Sequence, residues 1–280
     1  MNRIERLKFL KENKVKVLKD KKASIKTFGG FSASKQSALS VSKAENSTDS
    51  DEVINRDIVA NTYYWMDSHD DVHVKGCFTK SISENVPFFL ADHKFQVGAR
   101  LGEVKSSEEK QIEWSELGIV KEGKTISLVH SVDIIKAYNA GVFAQYKNGA
   151  INQHSVGMIY VKVSLAYDDP QDKEAYELFH RVLPMLGNVE EAKEQGYFYV
   201  VSEAKLRETS AVLMGSNSLT PTLVSEEVEQ QIKNYLENGG DIDKIYNICK
   251  EIKNTSEDLE PLKDTLKTPK PNFFELLANQ

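Results

Sequence analysis

Residues 53–224 are written in short runs of β-branched and aromatic side chains that alternate with polar ones and are cut by turn-forming residues. This period-two texture restricts the fold more than any other feature of the chain. It predicts strands over 58–65, 98–104, 111–117, 125–131, 155–163, 197–202 and 208–213. Two stretches follow a helical period instead: 133–148, with Ile134, Ile135, Tyr138, Val142 and Phe143 on one side, and 173–186, with Tyr176, Phe179, Val182 and Leu183. Many short strands with few helices predict a mixed, β-rich fold, a β-barrel flanked by helices, with a helical N-terminal arm and a helical C-terminal tail.

The flanks differ in texture and charge. Residues 1–22 hold nine Lys/Arg against three Asp/Glu, and Ile4, Leu7, Leu10 and Leu18 recur at helical spacing. Such an arm reads either as a solvated terminal helix or as a removable or docking piece that touches an acidic partner or nucleic acid. Residues 23–28 alternate like a first strand before Gly29 and Gly30, and 31–52 are Ser-rich and polar, a flexible loop or linker. Residues 225–280 carry seven Lys/Arg against twelve Asp/Glu. They are broken by Pro261, Pro269 and Pro271 and leave a short apolar peptide at 272–277 suited to docking. The expected division is an arm (1–22), a barrel domain (23–224, with a helical insertion at about 170–196) and an acidic helical tail (225–280).

Composition narrows the function. The longest apolar runs are too short to cross a bilayer, and the first residues lack the apolar core of a secretion signal, so synthesis in the cytoplasm is expected. Cys77 and Cys249 lie far apart without metal-knuckle spacing, which predicts reduced structural thiols and no cofactor or metal. A net charge of −6 and the lack of basic interleaving around Tyr63, Tyr64 and Trp65 argue against specific nucleic-acid binding.

Three stretches join strand-like sequence to a chemically capable side chain. Residues 88–100 contain His93, 151–160 contain Ser155, and 203–213 contain Glu208. Hydroxyl nucleophile, imidazole base and orienting carboxylate are the three roles that a serine hydrolase fills. Ser155 is inert unless a neighbour takes its proton, and an imidazole with an ordinary pKa of about 6.5 suits that transfer at neutral pH. Gly157, two residues on and on the same strand face, is read as room for a substrate backbone. The third role is the least determined: Glu208 can also be a surface carboxylate paired with Lys205 or Arg207, and Asp92, His130 and Asp133 are substitutes. Alternation turns His154 to the face opposite Ser155, a supporting or surface position. Asp71 and Gly76 read as turn-holding residues at a barrel edge. The cluster His69, Asp70, Asp71 and His73 reads as a solvated loop before it reads as a metal site.

At these residues the chain resembles the prohead maturation proteases of tailed bacteriophages, which are related in fold to the herpesvirus assembly protease. Residues 71–78 are similar to the family's Asp-Val-x-x-x-Gly-x-Phe element and 92–100 to its histidine strand. Residues 146–158 are similar to its nucleophile strand, Ser-x-Gly followed by an aromatic, and 206–212 to its Leu-x-Glu-x-Ser-x-Val strand. Met158 departs from that aromatic, and 214–217 replace the proline-containing end of the last motif. The resemblance implies a serine endopeptidase with Ser155, His93 and Glu208 in the catalytic roles. It would cleave scaffold and capsid-protein segments during procapsid maturation and process itself. Its partners would be capsid and scaffold proteins, it would self-associate within the procapsid, and its location would be the host cytoplasm inside that particle. Arg207 and the loop 215–218 are candidate oxyanion donors. Two rivals stay open: an assembly protein that keeps the fold without cleaving, and a non-proteolytic esterase.

Overall fold

The computed structural model describes residues 2–23 and 52–223; the expected strand at 23–28 beyond Ala23, the Ser-rich stretch 31–51 and the tail from 225 lie outside the described residues. The chain opens with α1 (Arg3–Glu12), whose N-terminus is closed by a reciprocal capping box between Asn2 and Glu5, and α2 (Lys14–Ala23). The remaining elements follow as β1 (Val53–Thr62), β2 (Asp71–His73), α3 (Thr79–Glu84), β3 (Phe88–Ala91), β4 (Arg100–Glu113), β5 (Lys124–Ile135), α4 (Ala140–Lys147), β6 (His154–Tyr167), α5 (Lys173–Val182), α6 (Val189–Gln195) and β7 (Tyr197–Ala211).

All seven strands belong to one sheet, but that sheet is not closed into a barrel, which corrects the sequence expectation. Its path runs β1-β5-β4-β3-β7-β2, with β6 paired to the other side of β7. The two short strands β2 and β3 share one edge of β7, both parallel to it, at 199–201 and 208–211 respectively. The rims β1 and β6 approach one another without forming a ladder. Between them lies the irregular segment 217–223, where Val59 N donates to Pro221 O (2.9 Å), Leu223 N to Asp57 O (2.8 Å) and Thr220 Oγ1 to His154 O (2.7 Å). A ladder needs a donor at alternate positions, and Pro221 has none. The gap is therefore filled by single bonds and side chains instead of a strand.

Four strands run for twelve to fifteen residues, and register shifts bend them. The β6–β7 ladder alone shifts at Gly157/Met158 and twice between Tyr160 and Val163. Apolar side chains cover both faces. One cluster joins Tyr63, Leu128, Met158 and Leu206 to Leu7 and Leu10 of α1; a second gathers Ile54, Phe89, Ile134 and Phe143 under α4; a third packs Phe198 against Phe179 of α5. The helices α5 and α6 sit between β6 and β7 in the chain, where the helical insertion was read.

The arm docks on its own chain. Arg3 pairs with Asp168 (2.7 Å), Lys11 with Asp169 (3.3 Å) and Lys14 with Asp172 (2.8 Å), while Lys21 reaches Asp71 (2.8 Å). Of the four apolar residues read as its inner face, Leu7 and Leu10 are buried and Ile4 is 79% exposed. The reading of a solvated helix is replaced by a helix with an acidic partner inside the same molecule.

Candidate functional site

The register of β7 against its neighbours assembles the site. Ser155 pairs with Ser210 and Gly157 with Glu208 across the antiparallel β6–β7 ladder, and Leu90 and Phe88 of β3 pair with the same two β7 residues from the other side. Directly opposed residues point to one face, so Ser155, Gly157, Glu208 and Ser210 share a surface. His93 reaches that surface from the turn after β3. Asp92 and His93 both adopt left-handed backbone (φ 52° and 55°), a conformation that costs about 1–3 kcal/mol for each non-glycine residue. Two bonds hold the turn against that cost: Asp92 N donates to Ala211 O (3.0 Å) and His93 N to Ser210 Oγ (3.0 Å).

The turn delivers the His93 ring to Glu208, with Nδ1 2.6 Å from Oε1. An ionised carboxylate only accepts, so Nδ1 carries the proton and Nε2 remains as the basic nitrogen. Ser210 Oγ donates to the other carboxylate oxygen, Oε2, at 2.5 Å, so one hydroxyl fixes both the backbone of His93 and the side chain of Glu208. Glu208 is fully buried, and the hydrogen bond that His93 donates to its carboxylate outweighs desolvation to hold the imidazole pKa of His93 above its ordinary value. A cavity of about 600 Å³ adjoins this group, and His93, Ser155, Arg207 and Glu208 all line it. Among the described residues, no hydrogen bond joins the Ser155 hydroxyl to His93.

Gly157 has a different duty from the one read in the sequence. A Cβ built there would lie 2.0 Å from Glu208 Oε1, so its missing side chain is the space that the carboxylate fills. Arg207 owes its place to the register shift beside Gly157: Glu208 opposes Gly157 and Leu206 opposes Met158, so Arg207 is the extra residue of a bulge. In a bulge two successive side chains can share a face, and Arg207 lines the same cavity as Glu208. Gly215 and Ser216 line it also.

The substitutes for the third role lie elsewhere. Asp92 pairs with Lys94 (3.1 Å), Asp133 with Lys105 (3.3 Å), and His130 Nε2 meets Thr209 Oγ1 (3.0 Å) within the core. Glu208 is the candidate that is hydrogen-bonded to His93. His154 faces away from Ser155 as alternation requires, but it is fully buried, with Tyr146 OH donating to Nε2 (2.9 Å) and Nδ1 donating to Thr220 O (2.8 Å). Its burial, which pushes the imidazole pKa down to about 4, corrects the surface reading. Asp71 and His73 belong to a buried strand, not to a turn or a solvated loop. Among the described residues, no group of three or more His, Cys, Asp or Glu is arranged to hold a metal ion.

Ser210 is the serine of the Leu-x-Glu-x-Ser-x-Val stretch at 206–212, and the resemblance alone assigns it no role. The signal was there in the spacing: two residues beyond Glu208 on a strand, its hydroxyl had to share the carboxylate's face.

Comparison of the chain with protein-family models, with curated proteins and with solved structures finds no match.

Proposed function

We propose that the protein is a serine endopeptidase, with Ser155 as nucleophile, His93 as general base and Glu208 as the group that orients and stabilises the base. The observation that carries this reading is the Glu208–His93 hydrogen bond at one wall of a cavity that Ser155 also lines. Ser155 Oγ attacks a peptide carbonyl while its proton passes to His93 Nε2, and Glu208 stabilises the imidazolium. The leaving amine takes that proton, an acyl-enzyme remains, and water activated by the same nitrogen hydrolyses it. Nucleophile–base bonds in empty sites are often long and close when substrate binds, which accommodates the unbonded Ser155 hydroxyl. Arg207 and the backbone of 215–216 are the candidate partners for the oxyanion.

The resemblance stated above assigns the substrates as scaffold and capsid-protein segments within a procapsid in the host cytoplasm, with self-processing and self-association. No helix among the described residues is long and apolar enough to cross a membrane. One observation favours the second reading, an assembly protein that no longer cleaves: the Ser155 hydroxyl is not bonded to the base.

Mass spectrometry of the full chain over time separates the two. New termini should form in the parent and be absent in Ser155→Ala and His93→Ala; identical fragmentation in all three proteins defeats the protease reading.

A further inference from the structure

The N-terminal arm and the wall of the cavity meet at the turn 67–71. The turn is bonded within itself: Asp67 N donates to Asp71 O (2.9 Å), Asp70 N to Asp67 O (2.9 Å), and Asp67 Oδ1 accepts from His69 N (2.8 Å) and Asp71 N (3.0 Å). Asp70, in left-handed backbone (φ 60°), is gripped from outside: its carbonyl accepts from Tyr199 N (2.7 Å) and its carboxylate from Tyr197 OH (2.7 Å) and Gln195 Nε2 (3.0 Å). A turn bonded in this way is displaced as a unit.

Two cations of the arm hold that unit. Lys21 pairs with Asp71 (2.8 Å), donates to His69 O (2.8 Å) and lies 4.4 Å from the centre of the Tyr199 ring. The Lys21 and Asp71 side chains are 12% and 2% exposed, so this pair is more deeply buried than those to Asp168, Asp169 and Asp172, and loss of one partner leaves a desolvated charge. Arg6 acts one step removed. Its Nη1 donates to Gln195 O (3.3 Å) and to Gln195 Oε1, and Gln195 in turn holds Asp70.

The other side of the turn reaches the loop beside the nucleophile. Ser68 N donates to Ser216 O (3.0 Å), and among the described residues this is the one hydrogen bond that reaches 213–216. Leu213 and Met214 are 94% and 88% exposed, so packing holds the loop little. A Cβ on Gly215 would lie 2.6 Å from His154 O, which places the loop backbone against the residue before Ser155. Ser68, His69, Ser155, Gly215 and Ser216 all line the cavity. Arm, turn, loop and nucleophile thus stand in series.

We propose that the docked arm is a positioning element for the cavity: Lys21 and Arg6 fix the turn 67–71, and Ser68 passes that position to the backbone of 215–216 beside Ser155. Release of the arm frees the loop and switches the site off, and by linkage a ligand at Ser155 tightens the docking of the arm. That the loop's position sets a cleavage rate rests on the protease reading; the connection from arm to loop does not.

Amide exchange followed by NMR in full-length Ser155→Ala protein reads the connection without turnover. The Ser68 amide should be protected, and Lys21→Met should speed its exchange about tenfold or more and shift the Gly215 amide signal. Lys21→Arg, which keeps the cation, should restore both. Arg6→Gln leaves the buried pair intact and should give the same two changes in smaller measure, which serves if Lys21→Met does not fold. An unchanged Ser68 exchange rate and Gly215 signal in either folded variant overturns the proposal. The rate at which new termini form in the active chain then separates the two readings. A fall of about tenfold or more in Lys21→Met, restored in Lys21→Arg, supports both. Faster Ser68 exchange in a protein that forms no new termini removes the protease reading and leaves the connection. Undiminished cleavage in a folded Lys21→Met chain overturns the switch.

Discussion

A methyl group on Gly157 would occupy the position of Glu208 Oε1, 2.0 Å away, so Gly157→Ala must displace the carboxylate from His93. Overpacking of this kind costs about 1–3 kcal/mol of stability. Since misplacing a catalytic group by about 1 Å can cost roughly a hundredfold in rate, cleavage should fall by about that factor while the protein stays folded, as checked by circular dichroism beside a cleavage assay. The protonation of His93 gives a sharper readout. Its folded pKa is raised by Glu208, and the base works only when neutral, so the rising limb of the pH–rate profile should lie above pH 6.5. In Glu208→Gln the hydrogen bond to a charged acceptor is lost, burial remains, and the limb should move to lower pH as the maximal rate falls. The stability linked to this pair runs the other way: it is fully present below the unfolded value of about 6.5 and is lost as pH rises through the folded one. An NMR titration of the His93 ring in parent and Glu208→Gln proteins checks both; coincident curves would refute the assignment of Glu208. Which residues carry chemistry was legible as three types in three strand-like stretches. The duty of Gly157 was not, because a glycine's empty volume names no occupant until the ladder puts Glu208 opposite it.

Among the elements, the strands were legible in place and not in extent. The runs 197–202 and 208–213 are one strand, β7, and 98–104 with 111–117 are mostly β4; the polar residues between them pair as well as the apolar ones, and backbone pairing leaves no mark in side-chain pattern. The helix expected over 133–148 starts only at Ala140, since Ile134 and Ile135 continue β5. Closure into a barrel was expected from strand number, but closure depends on the rims, and there Pro221 interrupts the donors. The arm illustrates how magnitudes rank two readings of one element. Its ion pairs to Asp168, Asp169 and Asp172 are partly exposed, and such pairs contribute about 0–1 kcal/mol each, weakened by salt. Truncating one buried leucine costs about 2–5 kcal/mol where the site cannot collapse. Leu7→Ala with Leu10→Ala should therefore release α1 more completely than 1 M salt does. Amide hydrogen exchange across 3–12 measures this, and faster exchange in salt than in the double variant would show that charge, not burial, holds the arm.

For the molecule as a whole, the buried histidines set the response to acid. His73, His130 and His154 are each 0–1% exposed, and burial pushes their pKa values down to about 4, 3 and 4. In the unfolded chain each titrates near 6.5. Between about pH 6 and pH 4 the unfolded state therefore binds up to three protons that the folded state refuses, and stability must fall as pH falls. The neutral rings favour the fold fully above the unfolded value and lose that contribution on the way down to the folded ones. Three protons correspond to a slope of about 4 kcal/mol per pH unit at the steepest, comparable to a large part of the 5–15 kcal/mol that holds a typical domain. His93, and the carboxylates of Asp67 and Asp71 whose pKa values burial raises, oppose this and make the decline shallower than the three rings alone would give. Urea denaturation followed at pH 7, 6 and 5 should show the midpoint dropping steeply below pH 6. His154→Gln, which keeps one donor and one acceptor for Thr220 and Tyr146, should flatten the decline by about a third if its lower stability at pH 7 still permits folding. His130→Gln, opposite Thr209, offers a second route to the same flattening. A midpoint that holds constant from pH 7 to pH 5 would mean that these rings are protonated or solvated in the folded protein, and the packing of the sheet around His154 and Thr220 would then be wrong.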